Sequence, residues 1–164
     1  MRVRPRSKVT ARPRTWVGRW LLAAMLLQQA ERQRLGRKLN NGKPGWNYDE
    51  PGVVEIACQL AVRRLFPESV DVREITAFVM EMRSRIHNIT PPDQLESEAL
   101  IRSALGDTDV VLSDIDSGHM FGAYTMILGY ASIKLTLSDD DIRNLILESE
   151  RLAFERGWKP PLAE

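Results

Sequence analysis

Apolar side chains recur at helical spacing along most of this chain and rarely alternate as they would in a half-buried strand. Trp16, Val17, Trp20, Leu21, Ala24 and Leu27 form the first such set. They predict one helix over 15–35, with Thr15 as N-cap and Gly36 just past its end. Its second half, Gln28, Gln29, Glu31, Arg32, Gln33 and Arg34, is polar on nearly every side and is expected to project into solvent. A second helix is expected over 51–66 and stopped by Pro67. Val53, Ile56, Ala57, Leu60, Ala61 and Leu65 make one of its apolar stripes, and Val54, Cys58, Val62 and Phe66 make another. Only Glu55, Gln59 and Arg63 form a polar line, so this helix belongs at the centre of a bundle.

Cap signals place the remaining elements. Asp71 and Glu74 have capping-box spacing ahead of Val72, Ile75, Val79, Met82 and Ile86. The Thr90-Pro-Pro-Asp93 stretch, with Thr90 as cap and Pro at the first helical position, opens a helix that buries Leu100, Ile101, Ala104 and Leu105 and stops at Gly106. A fifth helix is expected over 117–132, where no side chain is charged. Gly118, Gly122, Thr125, Gly129 and Ser132 fall on one face of it, and Gly118, Gly122 and Gly129 predict close approach of a neighbouring helix. Ile133–Leu137 alternates and reads as a short extended link. Ser138 and Asp141 form a second capping box, followed by Ile142, Leu145, Ile146, Leu152 and Ala153 and closed by Gly157. The fold class predicted is all-α, a compact bundle of about five to six helices with a basic N-terminal arm.

Composition narrows this picture. A length of 164 residues suits one domain, large enough to bury a core without disulfides. The single Cys58 excludes an internal disulfide and a Cys-rich zinc site. No cofactor motif is present: Gly118 and Gly122 are followed by no Lys-Ser/Thr, so they form no phosphate loop. Two histidines with no nucleophile motif leave catalytic triads unsupported.

Charge changes the picture more. The overall balance of +1 conceals two blocks. Residues 1–43 carry twelve Lys or Arg and one acid, Glu31, for a net +11; residues 44–164 are net −10. This divides the chain into a basic tail and arm helix, 1–43, and an acidic helical body, 44–164. The linker over 36–52 is rich in Gly, Pro and Asn. Residues 1–14 have too little apolar surface to order by themselves.

The arm's candidate contact residues for a polyanion or a protein partner are Arg2, Arg4, Arg6, Arg12, Arg14 and Arg19, with Trp16 and Trp20 as anchors. A +11 arm beside a −10 body is also suited to docking on that body or on a second copy. A targeting segment is the third reading. The apolar run 20–27 falls well short of the about 20 residues a membrane span needs, and a cytoplasmic protein is expected. The acidic loop offers a different chemistry. Asp114, Asp116 and His119 present oxygen and imidazole ligands to a divalent metal, which would make the protein a metal-dependent enzyme. Against that stands the ordinary use of Asp and Ser in turns and caps. The sequence therefore favours a non-enzymatic helical binding or regulatory protein whose basic arm makes the contact.

Overall fold

Local capping chemistry starts nearly every helix of this chain. The computed structural model describes residues 11–40, 52–67 and 69–163. Among them are seven helices and no sheet: α1 (Trp16–Met25), α2 (Gln29–Asn40), α3 (Gly52–Leu65), α4 (Val72–Ser84), α5 (Gln94–Ala104), α6 (Ser117–Lys134) and α7 (Asp139–Glu155). Thr15, Asp71, Asp93, Asp116 and Ser138 each accept a backbone N–H of the first turn. At α7 the capping box is complete: Ser138 accepts from the Asp141 N–H and Asp141 accepts from the Ser138 N–H. Three acids in that first turn also favour the helix dipole. The cap of α5 is Asp93 rather than Thr90. The Asp93 carboxylate accepts the Glu96 N–H at 2.9 Å, and both prolines stay outside the helix.

The all-α class holds, with one more helix than the five or six expected. The extra one arises because the arm helix breaks in two. Leu27 takes a left-handed conformation, φ 57°. The Leu27 N–H donates to the Ala24 carbonyl and the Gln28 N–H to the Ala23 carbonyl, a Schellman ending without its usual glycine. The helix then restarts and runs through Gly36. At the end of α6, Thr136 (φ 55°) donates to Ile133 and Leu137 donates to Ser132. Ile133 and Lys134 are therefore helical, and the extended link expected over 133–137 is a helix terminus. Gly106 and Gly157 close α5 and α7 in the same way, with φ 92° and 81°.

One hydrophobic cluster joins the elements. α3 lies at its centre, against α1, α5, α6 and α7. Val54, Ala57, Ala61 and Val62 of α3 are inaccessible to solvent, as are Leu21, Val79, Ile101, Ile127 and Ile146 from five other helices. Val17 and Leu21 of α1 are thus part of the common core. No helix among the described residues is long and apolar enough to cross a membrane.

The segment entering α1 is clasped between residues 161–163 and helix α7. Thr15 pairs with Leu162 in an antiparallel bridge. The Trp16 N–H donates to Pro161 at 3.1 Å, and the Ala163 N–H donates to Arg14 at 2.8 Å. On the other side lies Glu150 of α7, 2% exposed. Its carboxylate accepts the Arg14 N–H at 2.9 Å and the Thr15 N–H at 2.6 Å. Gly18 makes room for it: a Cβ there would lie 2.7 Å from Glu150 Oε2 and 2.8 Å from Thr15 Oγ1. Ordering therefore begins before Thr15. Pro13 is already buried and the Arg14 backbone is bonded, whereas the sequence predicts residues 1–14 to be disordered when free; residues 1–10 lie outside the described residues.

Candidate anion-binding cleft

The reversal at Leu27 folds α2 back along α1 and opens a cleft of about 490 Å³ toward the start of α7. Leu22, Ala23, Leu26 and Leu35 supply its apolar lining. Four arginines line it from different parts of the chain: Arg12 before α1, Arg19 on α1, Arg34 on α2 and Arg143 on α7. The entry clasp sets two of them. Holding Pro13 in place lets Arg19 Nε donate to the Pro13 carbonyl at 3.0 Å, with its guanidinium 6.0 Å from the Trp16 ring centre. Arg12 sits one residue upstream of that anchor.

Among the described residues, Glu31 is the one carboxylate in the lining. It receives a bidentate pair from Arg34, Nε at 2.9 Å and Nη2 at 2.6 Å. The Arg34 hydrogen bonds hold its carboxyl below the ordinary range; burial opposes them, and the charges of Arg34, Arg12 and Arg19 add to the lowering. Arg143 binds Asp140 at 2.6 Å outside the lining, with its side chain only 21% exposed. Among the described residues, four arginines and one carboxylate line the cleft, and two of the four are ion-paired, Arg34 with Glu31 and Arg143 with Asp140. Guanidinium groups in that number suit an oxyanion ligand, because each offers paired donors in a planar fork.

Of the arm residues singled out by the sequence, Arg12 and Arg19 enter this cleft. Arg14 points elsewhere. It lies over the Phe154 ring at 5.6 Å, in a separate hollow of about 450 Å³ with Leu147, Glu150, Arg151 and Glu155. Trp20 packs its ring 5.3 Å from Phe121 and also faces Gly36, which spends it on the fold. Trp16 is half-buried beneath Arg19. Arg2, Arg4 and Arg6 lie outside the described residues. Arg34, Arg143 and Glu31 are the site residues that sequence reasoning missed. The three-residue spacing of Glu31 and Arg34 was a local signal for their pair. Arg143 carried no signal, since it sits on an acidic helix more than a hundred residues away.

The glycine face of α6 corrects the sequence reading. A Cβ at Gly122 would meet nothing within 4 Å among the described residues, and at Gly118 only the carboxylate of the helix's own cap, Asp116, at 3.1 Å. Both positions are exposed. Gly129 alone faces a neighbouring helix, with Met25 of α1 at 3.7 Å from a Cβ there. The helix buries its Tyr124, Ile127, Leu128 and Ala131 side instead. Gly122→Ala is therefore expected to stabilise the protein by about 0.5–1 kcal/mol, through the ordinary helix preference for Ala, read from the midpoint of urea unfolding. A loss of stability would show that something covers that face.

The metal alternative loses its geometry as well. No group of three His, Cys, Asp or Glu that could hold an ion occurs among the described residues. Asp116 uses its carboxylate to cap α6, accepting the His119 N–H at 3.1 Å, and the His119 ring lies 3.7 Å from Glu96 of α5. Asp114 is exposed. Asp107 pairs with Arg102 at 2.8 Å.

A second titratable group sits in the core. Burial raises the pKa values of Cys58 and Tyr124 well above their usual ranges, and the nearby Glu55 carboxylate adds to both shifts. Burial also raises Glu55 itself, partly offset by Arg156. Cys58 is therefore a neutral structural thiol rather than a nucleophile. Comparison with protein families, with curated proteins and with solved structures finds no match for this chain.

Proposed function

We propose that this protein is a non-enzymatic helical binding protein that holds the phosphate backbone of a nucleic acid, through its basic N-terminal segment and the arginine cleft. The observation that carries this reading is the convergence of Arg12, Arg19, Arg34 and Arg143 on one cleft with Glu31 as the single carboxylate among its described lining residues. Packing does not require such a concentration of like charge, and its electrostatic cost is offset when a polyanion binds. The basic residues Arg2, Arg4, Arg6 and Lys8 lie just upstream of Arg12 in the sequence and add charge of the same sign to that segment. Recognition of this kind follows backbone charge rather than base sequence.

The test is fluorescence anisotropy of a labelled single-stranded oligonucleotide across a salt series, with light scattering to fix stoichiometry. Engaging about four phosphates gives a log–log salt slope near −3. Removing residues 1–11 is expected to flatten that slope and weaken binding while leaving the melting temperature unchanged, because that segment carries few apolar side chains. Salt-independent association with a protein, or binding only to anionic vesicles, would move the function to those partners.

A further inference from the structure

Resting on that reading, we infer that Glu31 is an internal competitor in the cleft: a phosphate group entering it takes the place that the Glu31 carboxylate holds on Arg34. Both carboxylate oxygens are committed to that one guanidinium, at 2.6 and 2.9 Å. Arg12 and Arg19 act on the same carboxylate only through their charge. A phosphate has more acceptor oxygens and more charge, so it can take the Arg34 fork and still offer oxygens to Arg12 and Arg19. Releasing Glu31 is easy. The pair joins neighbours three apart on one helix, and its side chains are 49% and 41% exposed, so it contributes little to stability. The Glu31 side chain is already 41% exposed, so water can take up the displaced carboxylate. Glu31 therefore lowers the affinity of the cleft for every phosphate ligand and sets a threshold against weak anions. The ligand chemistry is a phosphate oxyanion, supplied by a nucleic-acid strand or by a small phosphate.

The full chain, Glu31→Gln and Glu74→Gln are titrated with labelled oligothymidylate by anisotropy and with inorganic phosphate by calorimetry. Glu74 is an exposed acid of α4 outside the cleft lining, and its substitution makes the same change in net charge. Glu31→Gln is expected to bind both probes about five-fold more tightly, the effect of removing one nearby like charge, and Glu74→Gln to change affinity by less than about two-fold. In the double variant with Arg34→Gln the gain should shrink, since the guanidinium both anions share is gone. A gain for phosphate but not for the strand supports the competition and assigns a small phosphate as ligand. If wild type binds the strand and Glu31→Gln binds no more tightly, or Glu74→Gln gains as much, the competition is refuted and the proposed function stands. If none of the three proteins binds either probe, both fall.

Discussion

Glu150→Ala is expected to lower stability by about 3–5 kcal/mol, a large effect for a single acid. The carboxylate is buried and takes the Arg14 and Thr15 N–H groups at 2.9 and 2.6 Å. Truncation leaves both backbone donors in a site shaped for a charged acceptor, and each orphaned donor costs about 1–3 kcal/mol. It also unfastens the strap that holds Pro13 under Arg19 and pairs Thr15 with Leu162. Urea unfolding followed by tryptophan fluorescence reads the loss. Hydrogen exchange reads its location, with the Thr15 and Trp16 amides expected to lose protection first. A change below about 1 kcal/mol, with those amides still protected, would show that the carboxylate is dispensable. Glu150→Gln should fall between, because an amide oxygen accepts one N–H while its NH₂ opposes the other. Oligonucleotide affinity should drop together with stability, since Arg12 and Arg19 depend on the same strap.

Leu21→Ala is the second large effect, a loss of about 2–5 kcal/mol. Leu21 is fully buried in α1, within the cluster shared by α3, α6 and α7. The diagnostic feature is cooperativity. With Leu21 in the common core, the variant should unfold in a single transition at lower denaturant, with an unchanged slope. A variant as stable as wild type, or an early separate transition, would mean that α1 is a detachable limb. The same substitution at Leu27, which is 84% exposed at the α1–α2 turn, should be nearly neutral.

The two positions carry the relation between arm and body. Opposite charges on the two parts of the chain suggested attraction between them. The described contact is instead mostly apolar packing by Val17 and Leu21, together with one buried acid bonded to backbone. Two of the cleft arginines are ion-paired, Arg34 with Glu31 and Arg143 with Asp140, so the surplus charge of the described lining rests on Arg12 and Arg19.

Much of the architecture was legible in the residues. The capping box of Ser138 and Asp141, the stop at Gly157, the central position of α3 and the all-helical class follow from interactions within about four residues or from a repeat along one helix. Such signals do not depend on the rest of the molecule, so they survive in a bare sequence. The two Schellman endings at Leu27 and Thr136 were not legible. Neither residue is a glycine, and only packing on both sides makes a left-handed leucine or threonine worth its strain.

The α6 glycines show the same division. Their spacing put them on one face, but nothing local says whether a face meets a neighbour or water. Glu150 resembles Glu148 and Glu155 along the chain, and it became a buried clasp because a segment 135 residues away needed its oxygens. Arg143 joined the cleft for the same kind of reason, the crossing of α7 beside a hairpin whose turn was itself hidden. Helix identity, caps and charge blocks were settled by short-range chemistry. Chain reversal, burial of a particular acid and the meeting of four arginines were settled by long-range burial, which depends on every helix at once.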